Sequence, residues 1–280
     1  MPKTSRNPGR RRIFRAATGA ALALLMIAIR PDPGIARAAA ALPAQNPEPV
    51  ASARVTDVVD GDTIVLDSGA EVRLTGIQAP KLPLGRRGFR AWPLAEAAKA
   101  AMVEISHGRR VSLSYSGATV DRWGRLLAQV RAGDVWLQQD MLRRGLARVY
   151  TFADNREHAA VFYAAERDAR RNRRGIWALD WYRILEPGGT GRHIGSFQIV
   201  EGRPAAVAIA GGTAYLNFGA DWRTDFTASI SKADMKLFRR AGVDVRGLEG
   251  KRLRLRGWLI RRNGPMIKLT HPEQIEVLDP

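Results

Sequence analysis

The stretch VVDGDTIVL, residues 58–66, decides how this chain is read. Val55–Val59 and Thr63–Leu66 are apolar, β-branched runs of strand length, and the step between them carries an Asp-Gly pair, which is ordinary turn chemistry. A second turn at Asp67-Ser68-Gly69 sends the chain back through a strand over Glu71–Ile77. Leu94, Ala98, Ala101, Met102 and Ile105 then recur at three and four, predicting an amphipathic helix that His107-Gly108 ends. Val111–Tyr115 and Leu126–Arg131 are further strands, and Ala132-Gly133-Asp134 turns the chain into Val135-Trp136-Leu137. Helices over Gln138–Arg144 and Arg156–Arg173 stop at Gly145 and Gly175. Strands first, a helix inserted, then a closing strand and terminal helices predict a small β-barrel with helices packed against it.

Past the Pro/Gly breaker EPGGTG at 186–191, a second block repeats this character. Phe197–Val200, Ala205–Ala210, Thr213–Phe218 and Asp225–Ile230 are strand candidates, with Gly211-Gly212 as a hairpin turn. A short helix over Ala233–Ala241 ends at Gly242; the chain then runs through Lys251–Ile260, turns at Asn263-Gly264-Pro265 and finishes with Met266–Leu269 and Ile275–Leu278. The pattern suits a second, OB-like barrel, which makes the whole chain mainly β with helices, an α+β protein. In KRLRLRGW the period of two sends Leu253 and Leu255 into a core and sets Arg252, Arg254 and Arg256 on the other face. That face is either a solvated surface or a phosphate-tracking stripe beside Trp222 and Trp258.

The amino terminus reads as an export signal. A basic stretch from Lys3 to Arg15 precedes an apolar run from Ala16 to Ile29 and a small-residue site over Ala36–Ala41. Arg11-Arg12-Ile13-Phe14 has the twin-arginine form, so both that route and the general one are open. An uncleaved N-terminal anchor is a further reading, but the apolar run is too short for a comfortable permanent span, so none is expected. The expected organisation is therefore a signal over 1–40, a Pro-rich tether over 41–53, a first domain over 54–186 and a basic β domain over 192–280. The working part is expected outside the cytoplasm, in the periplasm or beyond the cell.

Composition narrows the chemistry. The chain of 280 residues holds no cysteine, which excludes disulfides, thiolate metal sites and cysteine nucleophiles. Its four histidines, His107, His158, His193 and His271, show no pairing that would suit a metal. Forty-five Lys and Arg against 27 Asp and Glu give a net charge of +18, and an excess persists in both blocks once the signal is set aside. Such a polycation points to nucleic acid or another polyanion as partner.

Four motifs in order, VVDGDTIVL (58–66), VRLTGIQAP (72–80), DRWGRLLAQV (121–130) and RRGLARVY (143–150), resemble those of staphylococcal nuclease and its thermonuclease-like relatives. The resemblance runs from about Val55 to Trp177. It implies a five-stranded OB barrel with helices and calcium-dependent hydrolysis of DNA and RNA phosphodiesters. Carried over by motif, Asp62 matches a calcium-ligand aspartate, while Arg73 and Arg125 match two catalytic arginines that hold the phosphate and its developing charge. Tyr150 lies near a base- or sugar-contacting tyrosine of the family, and a strand-end aromatic closing the core is the alternative for it.

The chain departs from the family pattern in its central motif. The family writes G-I-D-A-P-E where Gly76-Ile77-Gln78-Ala79-Pro80-Lys81 stands here. Gln78 takes the place of a second calcium-ligand aspartate and Lys81 that of the glutamate that activates water. A neutral amide is a weaker ligand for a hard cation, and an ammonium cannot accept a proton. Counting Asp62, Lys81, Arg73 and Arg125, the pocket is expected to carry a positive excess and to hold a nucleic-acid phosphate without calcium, Lys81 supplying the cation, unless Lys81 points to solvent. Two functions follow: an exported module that binds nucleic acid or another polyanion with hydrolysis weak or lost, or an exported phosphodiesterase that has recruited another base, such as Glu96 or Asp121. Asp121 also suits a turn cap before Arg125. Association with an anionic cell envelope is a third reading.

Overall fold

The computed structural model describes residues 51–278. The export signal and the tether up to residue 50 lie outside the described residues. The first lobe is built from β1 (Ser52–Asp60), β2 (Thr63–Leu66), β3 (Glu71–Leu74), β4 (Gly76–Gln78), α1 (Ala95–Ser106), β5 (Arg110–Ser114), β6 (Leu126–Ala132), β7 (Val135–Trp136), α2 (Leu137–Arg143), β8 (Arg148–Tyr150) and α3 (Ala159–Arg171). The second holds β9 (Phe197–Gly202), β10 (Ala206–Ala210), β11 (Thr213–Asn217), β12 (Thr227–Ile230), α4 (Met235–Arg240), β13 (Leu253–Arg262), β14 (Gly264–Leu269) and β15 (Ile275–Val277). No helix among the described residues is long and apolar enough to cross a membrane.

In the first lobe β1 pairs with β2 along one half and with β5 along the other. β2 pairs with β3, β3 runs parallel to β6, and β6 returns to β5, so five strands close into a barrel. Strand alternation fills it: in β5, Val111 and Leu113 are buried while Arg110, Ser112 and Ser114 face out. The second lobe repeats the order. β9 and β10 act as one strand interrupted at residues 203–205, the first part pairing with β13 and the second with β11. β11 pairs with β12, β12 runs parallel to β14, and β14 returns to β13. α4 sits between the third and fourth strands as α1 does in the first lobe. Both lobes thus have the strand order of an OB barrel.

Three boundaries differ from the sequence reading. The strand expected over Glu71–Ile77 is two strands, because Gly76 has a φ of +83° and the chain leaves the barrel there to pair with β8. A Cβ at Gly76 would come within 2.5 Å of the Phe162 ring, so only glycine fits this corner. The expected tether ends earlier than residue 53, since Ser52 already pairs with Ser112 and Ala53 is in the core. The EPGGTG segment runs into a 3₁₀ turn over Pro187–His193 with Thr190 buried, and both lobes belong to one compact unit.

An ion-pair hub welds the lobes together. Glu166 of α3 is fully buried and accepts from the Val149 amide at 2.6 Å, from Arg170 at 3.1 Å and from both Nη1 and Nη2 of Arg256 at 3.1 Å. Arg256 also bonds the Val149 carbonyl and Glu276, and its guanidinium lies over the Tyr163 ring. Nearby, His271 of the second lobe bonds Thr151 of the first through Nε2 at 2.8 Å and Thr270 through Nδ1.

Burial, with Arg156 adding to it and Asp154 opposing, pushes the His271 imidazole down to about 4. The folded state therefore prefers the neutral ring. The stability this contributes is full above the ordinary value of 6.5 and is lost as pH falls toward about 4, up to about 3 kcal/mol. Thermal unfolding across that window should show a steeper acid loss in the parent than in His271→Gln; equal slopes would remove His271 as the cause.

Candidate functional site

The turn between β1 and β2 is held by its own side chain, Asp60 Oδ1 accepting from the Asp62 amide at 3.0 Å. Gly61 lies against α1 so closely that a Cβ there would be 2.7 Å from those of Ala79 and Ala98. This packing aims both carboxylates inward. Asp62 is fully buried, and its Oδ2 accepts from the Ala79 amide at 2.6 Å. The Lys81 ammonium lies between the two acids, 2.6 and 2.7 Å from the Asp62 oxygens and 3.1 Å from Asp60 Oδ2.

Arg73 completes the cluster, with Nε 3.4 Å from Asp62 Oδ1. Its remaining donors turn to the backbone, Nη1 to the carbonyls of Leu74 and Asp62 and Nη2 to that of Ile77 at 2.6 Å. Gln78 points away from the acids, its Oε1 accepting from Arg148 Nη2 at 2.7 Å and Nε at 3.0 Å across the β4–β8 pair. Burial lowers the Arg148 guanidinium to about 10, which leaves it charged at neutral pH.

The two acids are driven apart. Burial, with the neighbouring Asp62 charge, raises Asp60, and Lys81 only partly offsets this. Burial acts in the same direction on Asp62, but Arg73 and Lys81 outweigh it and hold that carboxyl well below the usual range. A carboxyl ¹³C titration should find Asp60 taking its proton at higher pH than Asp62, and Lys81→Met should move Asp62 upward. Coincident titrations, unchanged in the variant, would contradict this arrangement.

The remaining residues singled out in the sequence fall elsewhere. Arg125 donates through Nε and Nη2 to Asp121 Oδ2 at 2.9 and 2.6 Å, while Asp121 Oδ1 caps the amides of Trp123 and Arg125. The phosphate-tracking stripe is corrected at Arg254 and Arg256, which are covered, while Arg252 stays 56 % exposed. Arg252 and Arg254 pair with Glu201, and Arg256 is only 1 % exposed, because the face opposite Leu253 and Leu255 carries intramolecular ion pairs and at Arg256 is covered by the first lobe. Tyr150 sits at the lobe junction, where its hydroxyl accepts from Trp258 Nε1 at 3.0 Å. The expected positive excess of the pocket is corrected too. Asp60, absent from that count, sets two acids against Arg73 and Lys81, and the charge of Arg125 is offset by Asp121 outside this cluster. Asp60 was legible in principle, standing two residues before Asp62 in the same turn. Arg148 was not, because its link to Gln78 spans 70 residues.

Residues 71–179 match the family model described as staphylococcal nuclease homologue. The first lobe is a staphylococcal nuclease-like domain. The chain is 29 % identical over 126 residues to the thermonuclease of Staphylococcus intermedius, covering 44 % of this chain and 74 % of that one. It is 27 % identical over 143 residues to endonuclease YncB of Bacillus subtilis (strain 168), covering 49 % and 67 %. It is 32 % identical over 114 residues to the probable staphylococcal-like nuclease CAN1 of Oryza sativa subsp. japonica, where it covers 41 % of this chain but only 30 % of the relative. The family match ends before β9, so the second lobe lies outside it.

In this nuclease-like lobe the donor set does not fit the calcium ion that the family implies. The oxygens of Asp60 and Asp62 that would face a cation already face an ammonium within 3.1 Å, and a divalent ion there would meet like charge. The Gln78 oxygen is taken by Arg148. Among the described residues no group of three or more His, Cys, Asp or Glu side chains is placed to hold a metal. Asp121, held low by its Arg125 bonds despite partial burial, is a poor base, and Glu96 lies exposed on α1.

Proposed function

We propose that the protein is an exported nucleic-acid-binding module of the staphylococcal nuclease type, in which calcium-dependent hydrolysis is weak or lost. The observation that carries this reading is the Lys81 ammonium between Asp60 and Asp62. A tethered cation there neutralises the acids that a metal would need, and it supplies no lone pair to take a proton from water. The family supports nucleic acid as the ligand, and the basic composition supports a phosphate backbone as the counter-charge. Export rests on the sequence of residues 1–40 alone.

The arginines available for phosphate lie outside the neutralised pocket. Arg122 lies over the exposed Trp123 ring at 4.1 Å, and Arg86 over Phe89 at 3.8 Å. Titration of a labelled oligonucleotide at several salt concentrations, in calcium and in chelator, tests the reading. Log affinity should fall linearly with log salt, along the same line in both. Binding that requires calcium would overturn the metal-free part, and absence of binding at low salt would overturn nucleic acid as the ligand.

A further inference from the structure

Two groups of aromatic rings flank the lobe junction. On the first lobe, Trp92 lies 5.1 Å from Trp181 and 6.4 Å from Phe89 between ring centroids. At the junction, Tyr150 of the first lobe lies 5.0 Å from Phe152 and bonds Trp258 of the second lobe. A buried bridge joins the groups: the Arg148 guanidinium lies 5.9 Å from the Trp92 ring and 4.6 Å from that of Phe197, which in turn packs on Tyr150 at 4.7 Å. These contacts make a chain of neighbouring groups that reaches from the first lobe to the second and touches Gln78 through Arg148, with Arg148 and Phe197 buried at its centre.

The ends of this chain of groups are open. Trp181 is 50 % exposed, Trp258 47 % and Phe152 52 %, far more than apolar side chains of that size show in a core. Beside the first group the segment Arg86–Arg90 is exposed apart from Phe89, and Arg87 and Arg90 make no ion pair among the described residues. Exposed rings spaced along a basic surface are the means by which proteins hold single strands, because every base has a face to stack and every step brings a phosphate. A duplex keeps its bases stacked inside and offers no faces to such rings.

We infer that the exposed rings at its ends bind single-stranded nucleic acid, one group stacking bases on the nuclease-like lobe and Trp258 continuing the track on the second lobe. The inference rests on the nucleic-acid-binding reading above and adds strand preference and a contribution from the second lobe. Together with the ion-pair hub, it gives the second barrel a role: it extends the binding face and holds it rigidly.

The test is anisotropy of labelled oligothymidylate and of a duplex of equal length, with the full chain and with Trp181→Ala and Trp258→Ala. Each variant should lose about five- to 150-fold in affinity for the single strand, as expected for one stacked base, with duplex binding unchanged. Because Trp258 also bonds Tyr150, Trp258→Phe and a thermal melt of each variant accompany the series. Recovery in Trp258→Phe identifies stacking as the lost interaction. Single-strand binding at parental affinity in both folded alanine variants would overturn the track while leaving the nucleic-acid reading standing. An equal loss for duplex would overturn the strand preference, and no binding by the parent would end both.

Discussion

Arg256→Ala should lower the melting temperature by roughly 6–20 °C, following from a cost of about 3–5 kcal/mol for removing one partner of a buried ion pair in a chain of this size. The reason lies in what remains. Without Arg256, the buried Glu166 carboxylate keeps Arg170 and the Val149 amide but loses two charge-assisted bonds, and Glu276 loses its 2.6 Å partner. The same guanidinium ties Val149 in β8 to β13, so its loss should also separate the unfolding of the two lobes. Replacing both members, Glu166→Leu with Arg256→Met, should cost less than the two single changes together, since an apolar pair leaves fewer buried charges unmet. A calorimetric scan reads both effects. A single transition within about 2 °C of the parent for Arg256→Ala would show that the hub does not hold the lobes together.

The second large effect is a gain. Lys81→Glu with Gln78→Asp should convert a protein indifferent to calcium into one that binds it, with affinity at first in the range of about 10⁻⁴–10⁻³ M. The two changes are not equivalent. A carboxylate at position 78 meets Arg148 and forms an ion pair, so Gln78→Asp alone should gain little. Lys81→Glu removes the tethered cation and adds a carboxylate beside Asp60 and Asp62, leaving three acids against Arg73 alone, an excess that a bound cation would offset. That variant should be destabilised in chelator and recover with calcium, whereas the parent should melt at one temperature in both. Regaining a general base should also raise hydrolysis by about 10²–10⁴ over the parent. A parent whose melting temperature rises with calcium would contradict the account of this pocket.

Local patterns carried the fold far. The apolar strands on either side of Asp60-Gly61-Asp62, and the alternation that buries Leu253 and Leu255, follow from a period of two and need no distant information. The break at Gly76 was hidden because Glu71–Ile77 is strand-like throughout, and only the Phe162 ring from α3 makes that corner glycine-specific. The arginine stripe shows the same limit. Periodicity assigns Arg252, Arg254 and Arg256 to one face, but whether solvent or another lobe covers that face depends on Glu166 and Glu276, which are distant in sequence from one another.

The candidate site divides in the same way. Gln78 and Lys81 stand out against the family motif from sequence alone, and their chemistry already argues against a bound metal. Where Lys81 goes is a matter of geometry. The folding-back of the 76–81 segment brings its ammonium onto the acids rather than to solvent, and the same step draws Asp60 into the cluster and cancels the expected charge excess.

The central claim is that the protein, with this pocket closed by its own lysine, binds nucleic acid without cutting it. Incubation of the full chain with labelled single-stranded DNA, in calcium and in chelator, with cleavage and retained binding scored in the same samples, tests it most directly. An Arg73→Ala, Arg125→Ala variant controls for contaminating nuclease. The account predicts salt-sensitive binding, equal in calcium and chelator, with the DNA left intact. Calcium-dependent cleavage that vanishes in the double variant would contradict it, and Gln78 and Lys81 would then belong to a working catalytic site.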